Sequence, residues 1–301
     1  MKILLLGKNG QVGWELQRAL QPLGEVYALD RNTCPTLNLT GDITNHQELQ
    51  KIFDQIKPDV VVNATAYTAV DKAETEQENA DLINHQSVQV LADLACQYDA
   101  LLIHYSTDYV FAGTGKKAWL ETDTTSPNNV YGVTKRAGEV ALESSKAKFL
   151  NFRTSWVYGT HGHNFIKTML KLAQSKDELS IIHDQIGAPT SASLIADVTA
   201  HAIRYYFANT DKQDSLHGHY HLAPQGEISW FDYANFIFSI AREKGLELKV
   251  KQVHKVATSD YPTPAQRPLN SRLNTEKIRT NFKIYLPNWQ QGVAHALGEI
   301  I

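Results

Sequence analysis

The chain has 301 residues, enough for one large domain or two unequal ones. Its formal net charge of −3 offers no basic surface for nucleic acid, and no apolar run is long enough to span a membrane. The two cysteines supply neither a disulfide framework nor metal-ligand spacing, which is typical of a cytoplasmic protein without a metal site.

Short apolar runs alternate with segments of helical period through the first half of the chain. The predicted strands cover residues 2–6, 25–29, 60–62, 101–104 and 149–152. The predicted helices cover residues 11–20, 46–56, 80–98 and 131–145. This alternation indicates βαβ units, and therefore an α/β fold with a Rossmann-like, doubly wound parallel sheet.

The alternation becomes less regular after about residue 155. Helices are predicted at 164–174, 194–207 and 230–244, and short strands near 180–182, 220–222 and 250–253. Residues 261–268 contain three prolines, which exclude a helix there. We therefore expect a first domain over 1–155 and a smaller, interleaved C-terminal lobe over 156–301, with some of its segments returning to the first domain.

Three glycines stand between the first strand and the first helix, at Gly7, Gly10 and Gly13. This spacing allows a tight turn, close approach of the backbone to a pyrophosphate, and close packing of helix on strand. The helix N-terminus then presents free N–H groups to the phosphates. The context of a preceding strand and a following helix predicts that residues 1–155 bind NAD(P).

The end of the second strand bears on the choice of cofactor. Asp30 would accept hydrogen bonds from the adenosine ribose hydroxyls, which favours NADH. Arg31 and Lys8 could instead pair with a 2′-phosphate, which favours NADPH. Both cofactors remain open at this point.

Tyr131 and Lys135 begin the helix that follows the fourth strand. Their spacing of four places them on one helix face. A phenol normally titrates near pH ~10, and a neighbouring ammonium would favour its anion. Such a tyrosine could exchange a proton with a carbonyl oxygen while hydride reaches the carbon. The pair therefore predicts a dehydrogenase or reductase site.

Several stretches of the chain resemble the extended short-chain dehydrogenase/reductase superfamily, and within it the dTDP-4-dehydrorhamnose reductases. The glycine loop and the Y-x-x-x-K spacing are general to the superfamily, whereas "STDYVF", "RTSWVY" and "RPLNSRLNTEK" are more specific. The resemblance implies cofactor contacts at Gly7, Gly10, Gln11, Val12, Gly13, Asp30, Asp42, Ile43, Ala66, Tyr67, Thr68, Tyr105, Tyr131 and Lys135. It also implies catalytic roles for Tyr131, Lys135 and Thr107, and substrate contacts at Thr107, Asp108 and Trp156.

The activity implied is reduction, with NADPH or NADH, of the C4 keto group of a dTDP-linked sugar by a cytoplasmic monomer or homodimer. Related sugar-nucleotide dehydratases have a glutamate where this chain has Tyr109, so the base needed for elimination is missing. Two alternatives stay open: an epimerase or dehydratase of another nucleotide sugar, and a cofactor-binding regulatory subunit resembling that of methionine adenosyltransferase.

Three further features have no assigned role. His217, His219 and His221 alternate as metal ligands on one strand face would, but no acidic residue or cysteine accompanies them at ligand spacing. Arg267 could bind a pyrophosphate or form a surface salt bridge. The acidic run at residues 74–78 is predicted to be a solvated face.

Overall fold

The computed structural model describes residues 1–301. Its strands are β1 (Lys2–Leu6), β2 (Glu25–Leu29), β3 (Thr33–Cys34), β4 (Leu39–Thr40), β5 (Val60–Asn63), β6 (Leu101–Thr107), β7 (Lys148–Thr154), β8 (Val157–Tyr158), β9 (Glu178–Ile182), β10 (Ile186–Gly187), β11 (Thr190–Ser191), β12 (Gly218–His221), β13 (Ile228–Ser229) and β14 (Gln252–Val256). Its helices are α1 (Gln11–Ala19), α2 (His46–Ile56), α3 (Val70–Ala73), α4 (Gln77–Asp81), α5 (Ser87–Gln97), α6 (Val130–Ser144), α7 (Phe165–Ser175), α8 (Ala192–Ala208), α9 (Gln213–Leu216), α10 (Trp230–Glu243), α11 (Glu276–Phe282) and α12 (Trp289–Ile300). None of these helices has the length and hydropathy needed to cross a membrane.

Six strands form a central parallel sheet in the order β12-β7-β6-β5-β1-β2. The predicted α/β fold with a parallel sheet is confirmed. The prediction placed a short strand near residues 220–222, in the second half of the chain. In the structure this segment is β12, which returns to the sheet and pairs with β7.

Both faces of the sheet are apolar because helices cover both. On β1, Ile3 and Leu5 belong to one buried cluster, which includes side chains of α1, α8 and α11. Leu4 and Leu6 belong to a second cluster, which includes side chains of α2 and α5. Double coverage explains why these strands are continuous apolar runs rather than alternating ones.

A third buried cluster is made only of residues between Tyr158 and Leu297. It is formed mainly by α7, α10 and α12, with aromatic side chains such as Tyr233 and Trp289 at its centre. Other parts of the second half, α8, β12 and α11, contribute instead to the first cluster. The chain after residue 155 is thus divided between the sheet and a core of its own.

Helix α6 packs closely against the segment that joins α4 to α5. The joining residues, Leu82–Gln86, form a π-helical turn within the helix predicted at residues 80–98. A Cβ at Gly138 of α6 would lie 2.2 Å from the carbonyl oxygen of Asn84. Only glycine permits this approach, which holds α6 against the π-helical turn.

Candidate active site

In the loop between β1 and α1, backbone geometry requires glycine at two of the three glycine positions. Gly7 has a left-handed φ of +86°, and a Cβ at Gly13 would lie 2.0 Å from the carbonyl oxygen of Gly7. A Cβ at Gly10 would meet no protein atom closer than 3.5 Å. Gly10 is the N-cap of α1 without a side-chain cap, so the N–H groups of the first turn stay available. Its lack of a side chain leaves room for an anion from outside the protein.

A cleft of about 980 Å³ opens beside this loop, along the carboxyl ends of the strands. Eight of the predicted cofactor residues line it: Gly7, Gly10, Asp30, Asp42, Ile43, Ala66, Tyr67 and Thr68. Gln11 and Val12 do not line the cleft, because Gln11 accepts a hydrogen bond from Asn164 and Val12 packs against the first buried cluster. Only their backbone groups could therefore contribute to a phosphate site.

Acidic and basic groups meet at the outer end of the cleft. Asp30 accepts hydrogen bonds from the Asn9 side chain at 2.5 Å and from the backbone N–H of Asn32 at 2.6 Å. Lys8 Nζ lies 3.6 Å from the same carboxylate, and Arg31 lines the cleft with an exposed side chain. The structure therefore brings together the group that favours NADH and the two that favour NADPH.

The acidic run at residues 74–78 is solvated as predicted at Glu76 and Glu78, which are exposed, whereas Glu74 is half-buried. Glu74 accepts a hydrogen bond from the backbone N–H of Val130 at 2.9 Å, so it satisfies a free donor at the start of α6. Glu76 lines the cleft and accepts a hydrogen bond from the Tyr67 hydroxyl at 2.8 Å. Charge patterning alone could not show this, because both partners are distant in sequence or on another element.

The polar stretch after β6 forms a hydrogen-bonded turn. The Thr107 hydroxyl donates to Asp108 Oδ1 at 3.1 Å and accepts from the backbone N–H of Tyr109 at 3.2 Å. Asp108 is 2% exposed, and its Oδ2 has no hydrogen-bond partner. Burial raises the pKa of this carboxyl to about 6, against hydrogen bonds from Ser271 and Thr107 that lower it.

Tyr131 faces this turn from the first turn of α6. Its ring contacts the Tyr109 ring edge-on, with centroids 5.4 Å apart. Burial raises the pKa of Tyr131, and a hydrogen bond with the Thr107 hydroxyl acts in the opposite direction. The structure thus brings Thr107, Asp108 and Tyr131 together, as the resemblance implied.

Lys135 lies one turn further along α6 and is 2% exposed. Its Nζ donates to the backbone carbonyl of Tyr105 at 2.6 Å and lies 3.1 Å from His104 Nε2. Burial lowers the pKa of Lys135 to about 8. The sequence predicted an ammonium that makes the Tyr131 phenol more acidic, but burial governs both groups and moves each towards its neutral form.

Tyr105 and Trp156 are held by contacts within the protein. The Tyr105 hydroxyl is 2.8 Å from Thr199 Oγ1, so the backbone carbonyl of Tyr105, not its hydroxyl, meets Lys135. Trp156 has a left-handed φ of +50°, which is costly for a residue other than glycine. Its ring stacks on Trp230 with centroids 3.6 Å apart, a partner that sequence reasoning missed.

The three alternating histidines have separate partners. His217 Nε2 is 2.9 Å from the Tyr206 hydroxyl, and His221 Nδ1 is 3.2 Å from the backbone carbonyl of Asn274. His219 lies near Glu139 and Glu143, a trio whose ligand atoms all lie within 4.8 Å of one another.

Both carboxylates of this trio are already paired with arginines. Arg153 binds Glu139 through two nitrogens at 2.7 and 2.8 Å, and Arg136 binds Glu143 at 2.7 and 3.1 Å.

Arg267, the other residue without an assigned role, forms an ion pair with Asp71 at 2.6 Å. Its Nη1 is buried without a hydrogen-bond partner.

Comparison with known proteins places the chain in a family. The family described as "RmlD substrate binding domain" matches residues 1–301. The dTDP-4-dehydrorhamnose reductase of Escherichia coli strain K12 is 53% identical over 300 residues, covering 100% of this chain and 98% of the relative. The spore coat polysaccharide biosynthesis protein SpsK of Bacillus subtilis is 35% identical over 299 residues, covering 99% and 97%.

Solved structures of proteins with the same name as the Escherichia coli relative also match the chain over its full length. A dTDP-4-dehydrorhamnose reductase of Bacillus anthracis, crystallised in complex with NADP, is 34% identical and superposes with a TM-score of 0.85, covering 99% of each chain. A Clostridium acetobutylicum protein of the same name is 35% identical, also with a TM-score of 0.85, covering 100% of this chain and 99% of the other. Over its whole length, the chain belongs to the RmlD substrate binding domain family.

Proposed function

We propose that the chain reduces the C4 keto group of dTDP-4-dehydro-L-rhamnose to the hydroxyl of dTDP-L-rhamnose, with NADPH or NADH as the hydride source. The observation that carries the proposal is the placement of the Tyr131 ring 5.4 Å from that of Tyr109, in the turn capped by Thr107, with buried Lys135 on the next helical turn. The reductases named for this reaction, at up to 53% identity over the full chain, support the choice of sugar nucleotide.

The residues present fit a dinucleotide. Gly10 has open space where a pyrophosphate would approach, and the N–H groups at the start of α1 have no side-chain cap. Lys135 uses one proton on the Tyr105 carbonyl, which leaves a further donor for a ribose hydroxyl. The relative crystallised with NADP supports NADPH as one cofactor, and Lys8 and Arg31 supply positive charge beside Asp30.

A bound reduced nicotinamide supplies the hydride for the sugar C4. Tyr131 holds its phenolic proton at neutral pH, since a phenol titrates near ~10 and burial raises the pKa further, and it donates that proton to the C4 oxygen. The Thr107 hydroxyl has one hydrogen, which it donates to Asp108 Oδ1 in the resting site, so we infer that it turns to donate to the phenolate that remains and thereby favours the charged form. Hydride and proton together account for the two hydrogens that the ketone gains.

Residues 156–301 would supply most of the substrate site, and residues 1–155 most of the cofactor site. Trp156, held against Trp230, would offer an apolar face to the sugar. Asp108 Oδ2 is a buried acceptor without a partner, suited to a sugar hydroxyl. Both cysteines are free, consistent with a reducing cytoplasm, where we expect the enzyme to act as a monomer or homodimer.

The test follows oxidation of NADPH and of NADH with dTDP-4-dehydro-L-rhamnose, compared with UDP- and GDP-linked 4-keto sugars. We expect cofactor oxidation matched by formation of dTDP-L-rhamnose, identified by NMR of the product. Binding of NADPH without turnover of any 4-keto sugar would instead favour a regulatory cofactor-binding subunit. Conversion of a sugar nucleotide without net cofactor oxidation would favour an epimerase or dehydratase.

A further inference from the structure

The Trp156 ring is held by contacts with two other elements, α10 and β10. It stacks on Trp230, the first residue of α10, with an angle of 15° between the two ring planes. A Cβ at Gly187, in β10, would lie 2.7 Å from Trp156 Cε2 and 3.0 Å from Ser271 Cβ. Glycine therefore lets the edge of the indole ring and the Ser271 side chain approach the same backbone position.

This approach places Trp156 beside the turn that follows β6. Ser271, which meets the Trp156 ring at Gly187, hydrogen-bonds to the Asp108 carboxyl, and both residues are buried. Asp108 Oδ2 remains without a partner. One backbone position thus joins the apolar ring and the buried acceptor that we assign to the sugar.

The stack on Trp230 also opposes backbone strain at Trp156. The left-handed φ of Trp156 is unfavourable for a residue with a side chain, and such strain persists only where the surroundings impose it. Both indoles are half-buried and pack at the border of the third cluster. A ring at the border of a core has room to turn outward, so its position depends on the position of Trp230.

The Trp230 indole is held by a hydrogen-bond chain whose direction is fixed. An indole N–H can only donate, so the Gln185 atom that faces it at 3.1 Å is the oxygen, Oε1. The Gln185 NH₂ then donates to Thr258 Oγ1 at 3.1 Å. The Thr258 hydroxyl donates its single hydrogen to Asp184 Oδ1 at 2.6 Å, which leaves a lone pair for Gln185. Gln185 is buried, so its amide has no water to replace these partners.

The backbone that carries Gln185 is fixed as well. Strand β10 begins at the next residue and pairs with β13, which ends immediately before Trp230. On the other side, the N–H of Ile186 donates to the Leu269 carbonyl at 2.9 Å, and the Ile186 carbonyl accepts from the N–H of Ser271 at 2.8 Å. The amide of Gln185 is therefore presented to the indole from a segment with partners on both sides.

We propose that Gln185 is a positioning residue of the substrate site, which holds Trp230 by its indole N–H and thereby holds Trp156 in place. The Trp156 ring then stays against Gly187, beside the Asp108 carboxyl. The consequence for the reaction rests on the proposed function, in which the sugar lies against this ring. A displaced ring weakens the sugar nucleotide equally in the ground state and in the transition state, which raises KM and leaves kcat unchanged.

The direct test is the indole region of the ¹H–¹⁵N correlation spectrum of the ¹⁵N-labelled full-length protein, wild type against Gln185→Leu. Trp156→Phe and Trp230→Phe variants assign the two signals. We expect the Trp230 signal to move because its acceptor is lost, and the Trp156 signal to move because the ring beneath it has shifted. The other three indoles lie against other aromatic rings and serve as internal references: Trp14, Trp119 and Trp289. A Trp156 signal that stays in place in folded Gln185→Leu would overturn the proposal.

The kinetic test uses the same variant with NADPH and dTDP-4-dehydro-L-rhamnose. Loss of one orienting hydrogen bond should raise the KM for the sugar nucleotide up to about tenfold. The KM for NADPH and kcat should stay within about twofold of the wild type, since neither depends on the Trp156 ring. A general loss of structure would change all three values. Displaced indole signals with an unchanged KM for the sugar nucleotide would also contradict the proposal.

Thr258 offers a matched pair of variants at a half-buried position, which test the same chain if Gln185→Leu does not fold. Thr258→Val removes the acceptor of the Gln185 amide and should produce the same changes at smaller size, with KM raised about threefold. Thr258→Ser keeps the hydroxyl and should match the wild type. Equal behaviour of the two variants would refute the hydrogen-bond chain.

The spectra need no turnover, so the inference and the proposed function can fail separately. A wild-type protein that reduces no 4-keto sugar would refute the proposed function. The movement of the Trp156 signal would still decide whether Gln185 positions that ring. An active reductase whose Trp156 signal ignores both Gln185→Leu and Thr258→Val would refute this inference alone.

Discussion

Replacing Tyr131 by phenylalanine tests the assigned acid with little disturbance of its surroundings. The edge-on contact with the Tyr109 ring remains, because only the hydroxyl is removed. Thr107 keeps two hydrogen bonds, to Asp108 Oδ1 and from the backbone N–H of Tyr109, so no buried group loses its last partner. The free energy of unfolding should therefore change by no more than about 1 kcal/mol.

The loss of activity should be much larger than this change in stability. General acid catalysis contributes about 10²- to 10⁴-fold, and kcat should fall by that factor. This corresponds to about 3–5 kcal/mol of transition-state stabilisation. The assay is the oxidation of NADPH with dTDP-4-dehydro-L-rhamnose, accompanied by calorimetric titration of NADPH, whose affinity should change little.

Tyr109→Phe is the matched control for this variant. Its hydroxyl interacts with Arg267 rather than with Thr107, although its ring lies against Tyr131. Loss of one such hydrogen bond is worth about 1 kcal/mol, so kcat should fall less than about tenfold. A Tyr131→Phe enzyme that retains wild-type kcat, or loses no more than the Tyr109→Phe enzyme, would refute the assignment of Tyr131 as the acid.

Three further predictions follow from the packing. Gly10→Ala should leave urea unfolding unchanged, because the added Cβ lies 3.5 Å from its nearest neighbour. The same variant should weaken NADPH binding about tenfold in calorimetric titration. Gly13→Ala, which places a Cβ 2.0 Å from a carbonyl oxygen, should lower the free energy of unfolding by about 1–3 kcal/mol. The folded pKa of Asp108 is raised to about 6 from an unfolded value near ~3.9, so its contribution to stability falls as pH rises through this window. Asp108→Asn should therefore gain up to about 3 kcal/mol of unfolding free energy at about pH 7.5 and almost none near pH ~4, and an equal gain at both would contradict the assigned burial effect. Glu139→Gln leaves the Arg153 charge buried without its partner and should cost about 3–5 kcal/mol in thermal unfolding.

The five strands predicted in the first half were recoverable from sequence because their apolar runs are continuous. Ile3 and Leu4 enter opposite cores, and both are fully buried. Such a run, bounded by glycine and followed by a helical period, has few other interpretations. The pairing of β12 with β7 was not recoverable, since it joins segments about 68 residues apart in register and depends on tertiary packing.

In the candidate site, too, some features follow from local sequence patterns and others depend on tertiary packing. Glycine spacing and the four-residue spacing of Tyr131 and Lys135 are local, so the sequence could predict them. The cap that Glu74 provides to α6 and the stacking of Trp230 on Trp156 are contacts between distant elements, and no local pattern reports them.

Burial determines which protonation states the groups of this site favour. It raises the pKa values of Tyr131 and Asp108 and lowers that of Lys135, so all three groups move towards their neutral forms. Elimination of water from a sugar needs a carboxylate base, and the residue after Asp108 is Tyr109, whose pKa burial raises to about 12. Reduction of a ketone needs an acid that holds its proton until the hydride arrives and then releases it, and a phenol holds its proton at neutral pH with or without burial. The same desolvation weakens Tyr131 as an acid, and the hydrogen bond with Thr107, which lowers the pKa of the phenol, opposes that effect.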